Sequence, residues 1–224
     1  MSPSAEITAL RLQQLNRRCD YGALARPLAA ACEKYEINTP RRVRHFIAQV
    51  CVESLGLTRF EEALGYSADR LTKVWPGRFP TLAAAAPYAN NPQALANKVY
   101  AGRMGNTAPG DGWLYRGRNP LMSTGRDNYA EAQALTGQPL LAQPDLMKRP
   151  EIGFDVAGAY WASRGCNAIV DADPGEKPLA DIEASIRANE EDDIRAARIK
   201  VNGGLIGLDE ARAWLIKAGF IWRD

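Results

Sequence analysis

Histidine is nearly absent from this chain: there is one, His45, in 224 residues. Without a second imidazole, a histidine-based zinc site or a Ser-His-Asp triad has little to stand on. His45 is therefore assigned to a helix or a packing interface. Cysteine is scarce too. The four, at 19, 32, 51 and 166, include no CxxC pair, so neither a zinc nor a redox site is indicated. Cys32 and Cys51 lie in apolar helical contexts and are expected as buried thiols. No run of eighteen apolar residues occurs, which excludes a spanning helix. Neither charge sign is in excess: 28 Lys and Arg stand against 26 Asp and Glu, for a net +2. That balance argues against nucleic-acid binding as the main role. The opening MSPSAEITALRLQQL lacks a basic start followed by an apolar block, so no secretory signal is expected. There is no internal repeat and no long linker. The expectation is one domain over residues 1–224, without metal or cofactor, monomeric and made in the cytoplasm.

What is present is an ordinary globular composition, 46% hydrophobic and 24% charged. One stretch, His45 to Glu62 (HFIAQVCVESLGLTRFEE), organises the rest. Phe46, Ile47, Val50 and Cys51 recur at helical spacing and make one apolar stripe. Glu53 lies at the end of that stripe, beside a core without being in it, which is where a proton donor can be tuned. In an unbroken helix Glu53 and Glu62 would take opposite faces. A turn at Gly56 brings the second acid round toward the first. Two carboxylates facing across a cleft are the minimum for hydrolysing a glycosidic bond. The alternative is a pair of solvated surface acids.

The pattern predicts helices over 5–18, 22–35 and from Pro40 to about Glu53, the last with a cap-and-proline start at Asn38-Thr39-Pro40. Further helices are expected from Ser67, over 81–86, over 92–100, from about Asn128 and over 152–164. A turn of helix is expected within 140–150, a single solvated helix over 181–200, and a last helix over 209–218 capped by Gly219. Residues 171–178 read as a surface loop. Between 102 and 128 six glycines interrupt the chain, marking loop or short strand, with Trp113–Arg116 as the strand candidate. Neither GxGxxG nor GxxxxGK[ST] occurs in this sector, so phosphate binding is not indicated. It does carry Arg103, Tyr115, Arg116, Arg118, Thr124, Arg126 and Asn128. Aromatic rings stack on sugars, while amides and guanidinium groups bond hydroxyls or acid substituents. The alternative is that the arginines brace the loop from inside.

Six segments go further: FIAQVCVES (46–54), EEALGYSAD (61–69), ANKVYAGRMGN (96–106), GDGWLYRGRNPLMSTGRDNY (110–129), WASRGCNA (161–168) and VNGGLIGL (201–208). In this order and spacing they resemble the family 19 glycoside hydrolases, chitinase-like enzymes whose endolysin branch is the nearer match. The resemblance implies a mainly α, lysozyme-like, two-lobed fold with a Gly-rich loop or small β sector lining a cleft. It implies inverting hydrolysis of β-1,4 bonds next to N-acetylated sugars. It places the general acid on Glu53, the general base on Glu62 and a water-holding hydroxyl on Thr124. Sugar contacts fall on Asn128 and Asn202, with Tyr115, Arg116, Arg118 and Met122 as further substrate-binding candidates. For inversion the two carboxyls stand more than about 6.5 Å apart. Five positions depart from the family: its histidine before the acid is Val52, a glycine is Leu55, GRG becomes GRN at Asn119, its substrate glutamine is Met122, and an asparagine is Ile206. The expected partner is peptidoglycan, reached through separate export machinery, without membrane insertion. Chitin is the alternative substrate, and a non-catalytic glycan-binding protein on a decayed scaffold is the alternative role.

Overall fold

Caps decide where the helices begin. Thr8, Asp20, Thr39, Ser67, Thr81, Asn91 and Asp181 each accept a backbone N–H from the first turn that follows, satisfying donors a helix start leaves open. The computed structural model describes residues 5–172 and 181–223. The helices in chain order are α1 (Ala9–Leu15), α2 (Tyr21–Lys34), α3 (Pro40–Glu53), α4 (Ala68–Val74), α5 (Leu82–Ala85), α6 (Pro92–Tyr100) and α7 (Asp111–Leu114). They continue with α8 (Arg126–Thr136), α9 (Pro150–Ser163), α10 (Cys166–Val170), α11 (Ile182–Asn189), α12 (Glu191–Asn202) and α13 (Leu208–Gly219). Short 3-10 turns cover Ala86–Tyr88 and Pro144–Lys148. Among the described residues the only β pairing is a pair of isolated bridges, Glu61 with Arg118 and Arg118 with Ser123. The fold is mainly α, as expected. No helix among the described residues is long and apolar enough to cross a membrane.

The chain divides into two compact units. The first takes Met1–Phe60, Asn119–Leu121 and Met147–Asp224; the second takes Glu61–Arg118 and Met122–Leu146. In the first unit α3 is the central rod. Phe46, Ile47, Val50 and Cys51 are fully buried in a core that includes Leu12, Leu28, Phe154, Trp161 and Trp222, and Phe46 meets Trp161 edge to face at 5.5 Å. Each such aliphatic or aromatic side chain contributes roughly 1.5–3 kcal/mol. Ala48 belongs to a second cluster, with Ile186, Ile194, Leu208, Ala211 and Leu215. The helix is thus covered on two sides, and its polar residues Arg41, Arg44, His45 and Gln49 are buried as well. The second unit packs Leu64, Leu71, Phe79, Leu95 and Val99, extended by edge-on contacts from Tyr66 to Trp75 to Phe79. All four cysteines are buried free thiols.

Several expectations are corrected. The strand candidate is the helical turn α7 and the residues after it. Gly112 lies so close to α6 that a Cβ there would sit 2.6 Å from the Ala96 carbonyl, and the Trp113 N–H donates to Asn97 at 2.8 Å. The 181–200 run is two helices, because Glu190 between them turns inward to Arg44 and His45. Gly219 does not cap the last helix. It is inside α13, where any side chain would collide with Ile186. The first helix spans only Ala9–Leu15, and α10 was not anticipated. Of the 171–178 loop, residues 173–178 lie outside those described; Asp171 binds Arg42.

Candidate active site

Glu53 is the last residue of α3. The helix stops there because Ser54 folds its hydroxyl onto the Val50 carbonyl at 2.5 Å and accepts the Leu57 N–H at 2.9 Å. Leu55, Gly56 and Leu57 then all take positive φ, 51°, 71° and 66°, a left-handed turn that reverses the chain. Two leucines in that region are sterically costly, of order 1 kcal/mol or more each. Gly56 is obligatory, since a Cβ would strike Asn16 and the Trp214 ring. The Glu53 side chain is 22% exposed, and its Oε1 lies 2.7 Å from Nη2 of Arg198, which is 2% exposed. Arg198 also donates from Nε to the Ile206 carbonyl at 2.7 Å and from Nη1 to Gln49 Oε1 at 3.2 Å. Gly207 (φ 78°) lets the turn after α12 close over this guanidinium: a Cβ would stand 3.0 Å from Nη2 and 3.1 Å from Val52. Asn202 is exposed at the end of α12, its amide 3.4 Å from the Ile206 carbonyl. The Ile206 side chain is 83% exposed.

Glu62 is held differently. Its Oε2 accepts the Tyr100 hydroxyl and its Oε1 the Gly117 N–H, each at 2.6 Å. The Glu62 N–H donates back to the Gly117 carbonyl at 2.9 Å. Burial, then the negative charge of Glu62, push the Tyr100 phenol well above its ordinary pKa, so it stays protonated and donates. Each carboxylate oxygen keeps a second lone pair for another donor such as a water. A Cβ on Gly117 would lie 3.1 Å from Thr124 Oγ1 and 3.3 Å from Glu62 Cβ. Thr124 and Glu62 therefore flank one glycine. The Thr124 hydroxyl donates to the Met122 carbonyl at 2.9 Å, which leaves its oxygen lone pairs as acceptors. Met122 itself has φ 53°. Asn128, exposed on α8, donates to the Thr124 carbonyl at 2.7 Å.

The remaining candidates brace the second unit from within. Tyr115 is 2% exposed, donates to the Leu141 carbonyl at 3.2 Å and packs on Tyr129 at 5.2 Å. Arg116 stacks on Trp113 at 3.7 Å and binds Glu61 and the Trp113 carbonyl. Arg118, 1% exposed, bonds the Leu114 carbonyl and Tyr129 at 2.7 and 2.8 Å and pairs with Asp145 at 2.7 Å. These are the internal contacts of the bracing alternative. Arg103 and Arg126 are the exposed arginines of the sector. The structure thus gathers Glu62, Thr124, Met122 and Asn128 around one turn, and links Glu53 to Asn202 through Arg198 and the Ile206 carbonyl. Arg198 and Tyr100 went unrecognised in the sequence. The first lies in a charge run that resembles a solvated face, and the second closes a helix like a packing residue. Among the described residues no group of three or more His, Cys, Asp or Glu side chains is placed to hold a metal ion.

No family model matches the chain. A glycosyl hydrolase family 19 domain-containing protein of Haemophilus influenzae is 31% identical over 185 residues, spanning 82% of this chain and 81% of that protein. The chain belongs to glycosyl hydrolase family 19. It is a glycoside hydrolase. Its fold is that of solved chitinases: chitinase C from Streptomyces griseus superposes with a TM-score of 0.58 at 15% identity, over 99% of this chain and 94% of that one. A bacterial family 19 chitinase gives 0.52 at 17%, over 95% of each chain. In this family 19 hydrolase three of the departing positions, Leu55, Asn119 and Met122, take positive φ, 51°, 66° and 53°. Asparagine tolerates that region, and methionine there is strained.

Proposed function

We propose that this hydrolase cleaves the β-1,4 bonds of peptidoglycan with inversion, and that its two units serve one catalytic domain. Glu53 gives a proton to the leaving glycosidic oxygen. Glu62 takes a proton from the attacking water, which Thr124 helps to orient. Asn128 and Asn202 contact sugar. The observation that carries this reading is the setting of Glu62. Its carboxylate is fixed by two neutral donors, retains acceptor capacity, and has a hydroxyl oxygen beside it across Gly117. A carboxylate held so needs no reorganisation to receive a proton from water. Peptidoglycan is favoured by the endolysin-like motifs and by exposed Arg103 and Arg126, whose planar guanidinium groups suit the carboxylates of muropeptides.

Chitin is the second reading, supported by the chitinases among the structures the fold resembles. Parallel digestion of purified peptidoglycan and chitin oligomers, with mass and anomer analysis of the products, separates the two. Muropeptides with an α-anomeric reducing end are expected. Cleavage of chitin alone overturns the substrate assignment, and a β product overturns inversion.

A further inference from the structure

His45, Gln49 and Glu53 follow one another at four-residue steps along α3 and turn toward α12 and the residue that precedes it. His45 Nε2 is 2.8 Å from Glu190 Oε2. Gln49 and Glu53 both bind Arg198. The directions of these bonds are forced. Arg198 can only donate, so the Gln49 oxygen faces it and Gln49 Nε2 turns away. Burial disfavours the Glu190 anion, but His45 and Arg44 more than offset this and hold its carboxyl down at about 2. Glu190 is therefore an acceptor only. Burial keeps His45 neutral, against the opposing pull of Glu190. His45 must then carry its one proton on Nε2, leaving a lone pair on Nδ1. Gln49 Nε2 and His45 Nδ1 are thus a donor and an acceptor one helical turn apart. Both are buried, and neither has a protein partner among the described residues. Buried polar atoms in that condition are commonly satisfied by an internal water.

We propose that a buried water bridges Gln49 Nε2 and His45 Nδ1, completing a one-way hydrogen-bonded chain from Arg198 through Gln49, water and His45 to Glu190, and that His45 and Gln49 are thereby positioning residues for Glu53. Arg198 divides its donors between Glu53 and Gln49. When Glu53 gains a proton, its pull on the guanidinium weakens. Arg198 then donates more strongly to Gln49, and the chain polarises toward His45. The other charged groups around the imidazole are Arg44 on its own helix and Asp193 on α12, the latter paired with Arg41 at 2.5 Å. Both pairs belong to the same polar seam and keep the chain oriented. The catalytic half of the proposal rests on Glu53 being the proton donor; the chain itself does not.

A single histidine makes the test direct, because all imidazole nitrogen signals come from one residue. Long-range proton–nitrogen spectra of the labelled full-length protein are recorded across pH for wild type, Glu53→Gln and Gln49→Met. The expected result is an Nε2-protonated ring whose Nδ1 signal is that of a hydrogen-bonded acceptor and follows the titration of Glu53. The response should vanish in both variants. Ring signals indifferent to Glu53→Gln, or an Nδ1 signal of an unbonded nitrogen, overturn the chain. Should Gln49→Met not fold, the comparison with Glu53→Gln stands by itself. On the glycan that wild type cleaves, Gln49→Met should lower kcat about tenfold with KM unchanged, the scale of a small misplacement of a reacting group. Unchanged kcat in the folded variant overturns the positioning role. Coupled signals in a wild-type protein that cleaves neither glycan uphold the chain and sink the donor assignment instead.

Discussion

The two acids are held by opposite means. Glu53 leans on a cation: Arg198, buried at 2% exposure, bonds it at 2.7 Å while also bonding Gln49 and the Ile206 carbonyl. Glu62 leans on neutral donors: a phenol and a backbone N–H, both at 2.6 Å. A guanidinium ties its acid to the packing of the first unit, because the same group closes the turn after α12. A hydroxyl and an amide hold a carboxylate in place with far less at stake if one is removed. Perturbing either site should therefore cost rate, and perturbing the Glu53 site should cost far more stability than perturbing the Glu62 site.

The largest effect is expected where the two sites should behave alike. Glu53→Gln and Glu62→Gln each remove a proton-transfer group, and hydrolysis should fall by roughly 10²–10⁴-fold. Both sites tolerate the amide. At 53 its oxygen faces Arg198; at 62 its oxygen faces the Gly117 N–H and its NH₂ faces the phenol oxygen, which can accept. The unfolding temperature should stay near wild type for Glu62→Gln and fall for Glu53→Gln, which leaves the buried Arg198 without its counter-charge. Full activity in either folded variant removes that acid from the mechanism.

The contrast itself is tested by removing the partners. Arg198→Met strips the first site of its cation and the 203–207 turn of its anchor, so a loss of about 3 kcal/mol or more in stability is expected. Tyr100→Phe removes one hydrogen bond, for about 1 kcal/mol, while kcat drops because Glu62 is no longer fixed on both oxygens. Denaturant unfolding and steady-state kinetics on the same preparations decide it. Equal stability losses would erase the distinction drawn between the sites.

Acid stability sharpens the contrast from another side, since Glu190 belongs to the seam that supports Glu53. Its carboxyl titrates near 2 when folded and, free of Arg44 and His45, near its ordinary 4.5. A depressed folded value means the contribution is complete above about 4.5 and is lost as pH falls toward 2. The lowered pKa of buried His45 acts in the same direction, beginning below 6.5. Thermal midpoints should therefore fall steeply in acid for wild type, and Glu190→Gln should flatten the lower part of that curve. A curve unchanged by the substitution would show that the pair does not govern acid unfolding.

Much of this was legible in the chain and some was not, for identifiable reasons. The stripe Phe46, Ile47, Val50, Cys51 is local, and it placed α3 and the position of Glu53 correctly. The break at Gly56 follows from the one residue that fits between Asn16 and Trp214. What local pattern cannot carry is pairing over long separations. Arg198 lies 145 positions after Glu53 in a run of mixed charge that resembles a wet helix face. Glu190 turns inward and splits that run because Arg44 and His45 await it. In the glycine sector, turns resemble strands. The close approach of Gly112 to the Ala96 carbonyl, which seats α7 against α6, is a contact that local pattern does not carry.

The smallest expected effect belongs to Thr124. Its hydroxyl donates to the Met122 carbonyl and stands beside Glu62 across Gly117. Thr124→Val keeps the branched shape and deletes the oxygen. It frees the Met122 carbonyl, which sits in a backbone already at positive φ, so a stability loss of about 1 kcal/mol is expected. If the oxygen also accepts a bond from the attacking water, kcat should fall by roughly fivefold, the rate equivalent of one such bond, with KM nearly unchanged. Thr124→Ser keeps the hydroxyl and should restore kcat, though it loosens the turn by losing a methyl group. Rate and stability then separate: valine lowers both, and serine lowers only stability. If kcat instead tracks stability through both variants, Thr124 serves the turn and the water is oriented by Glu62 alone.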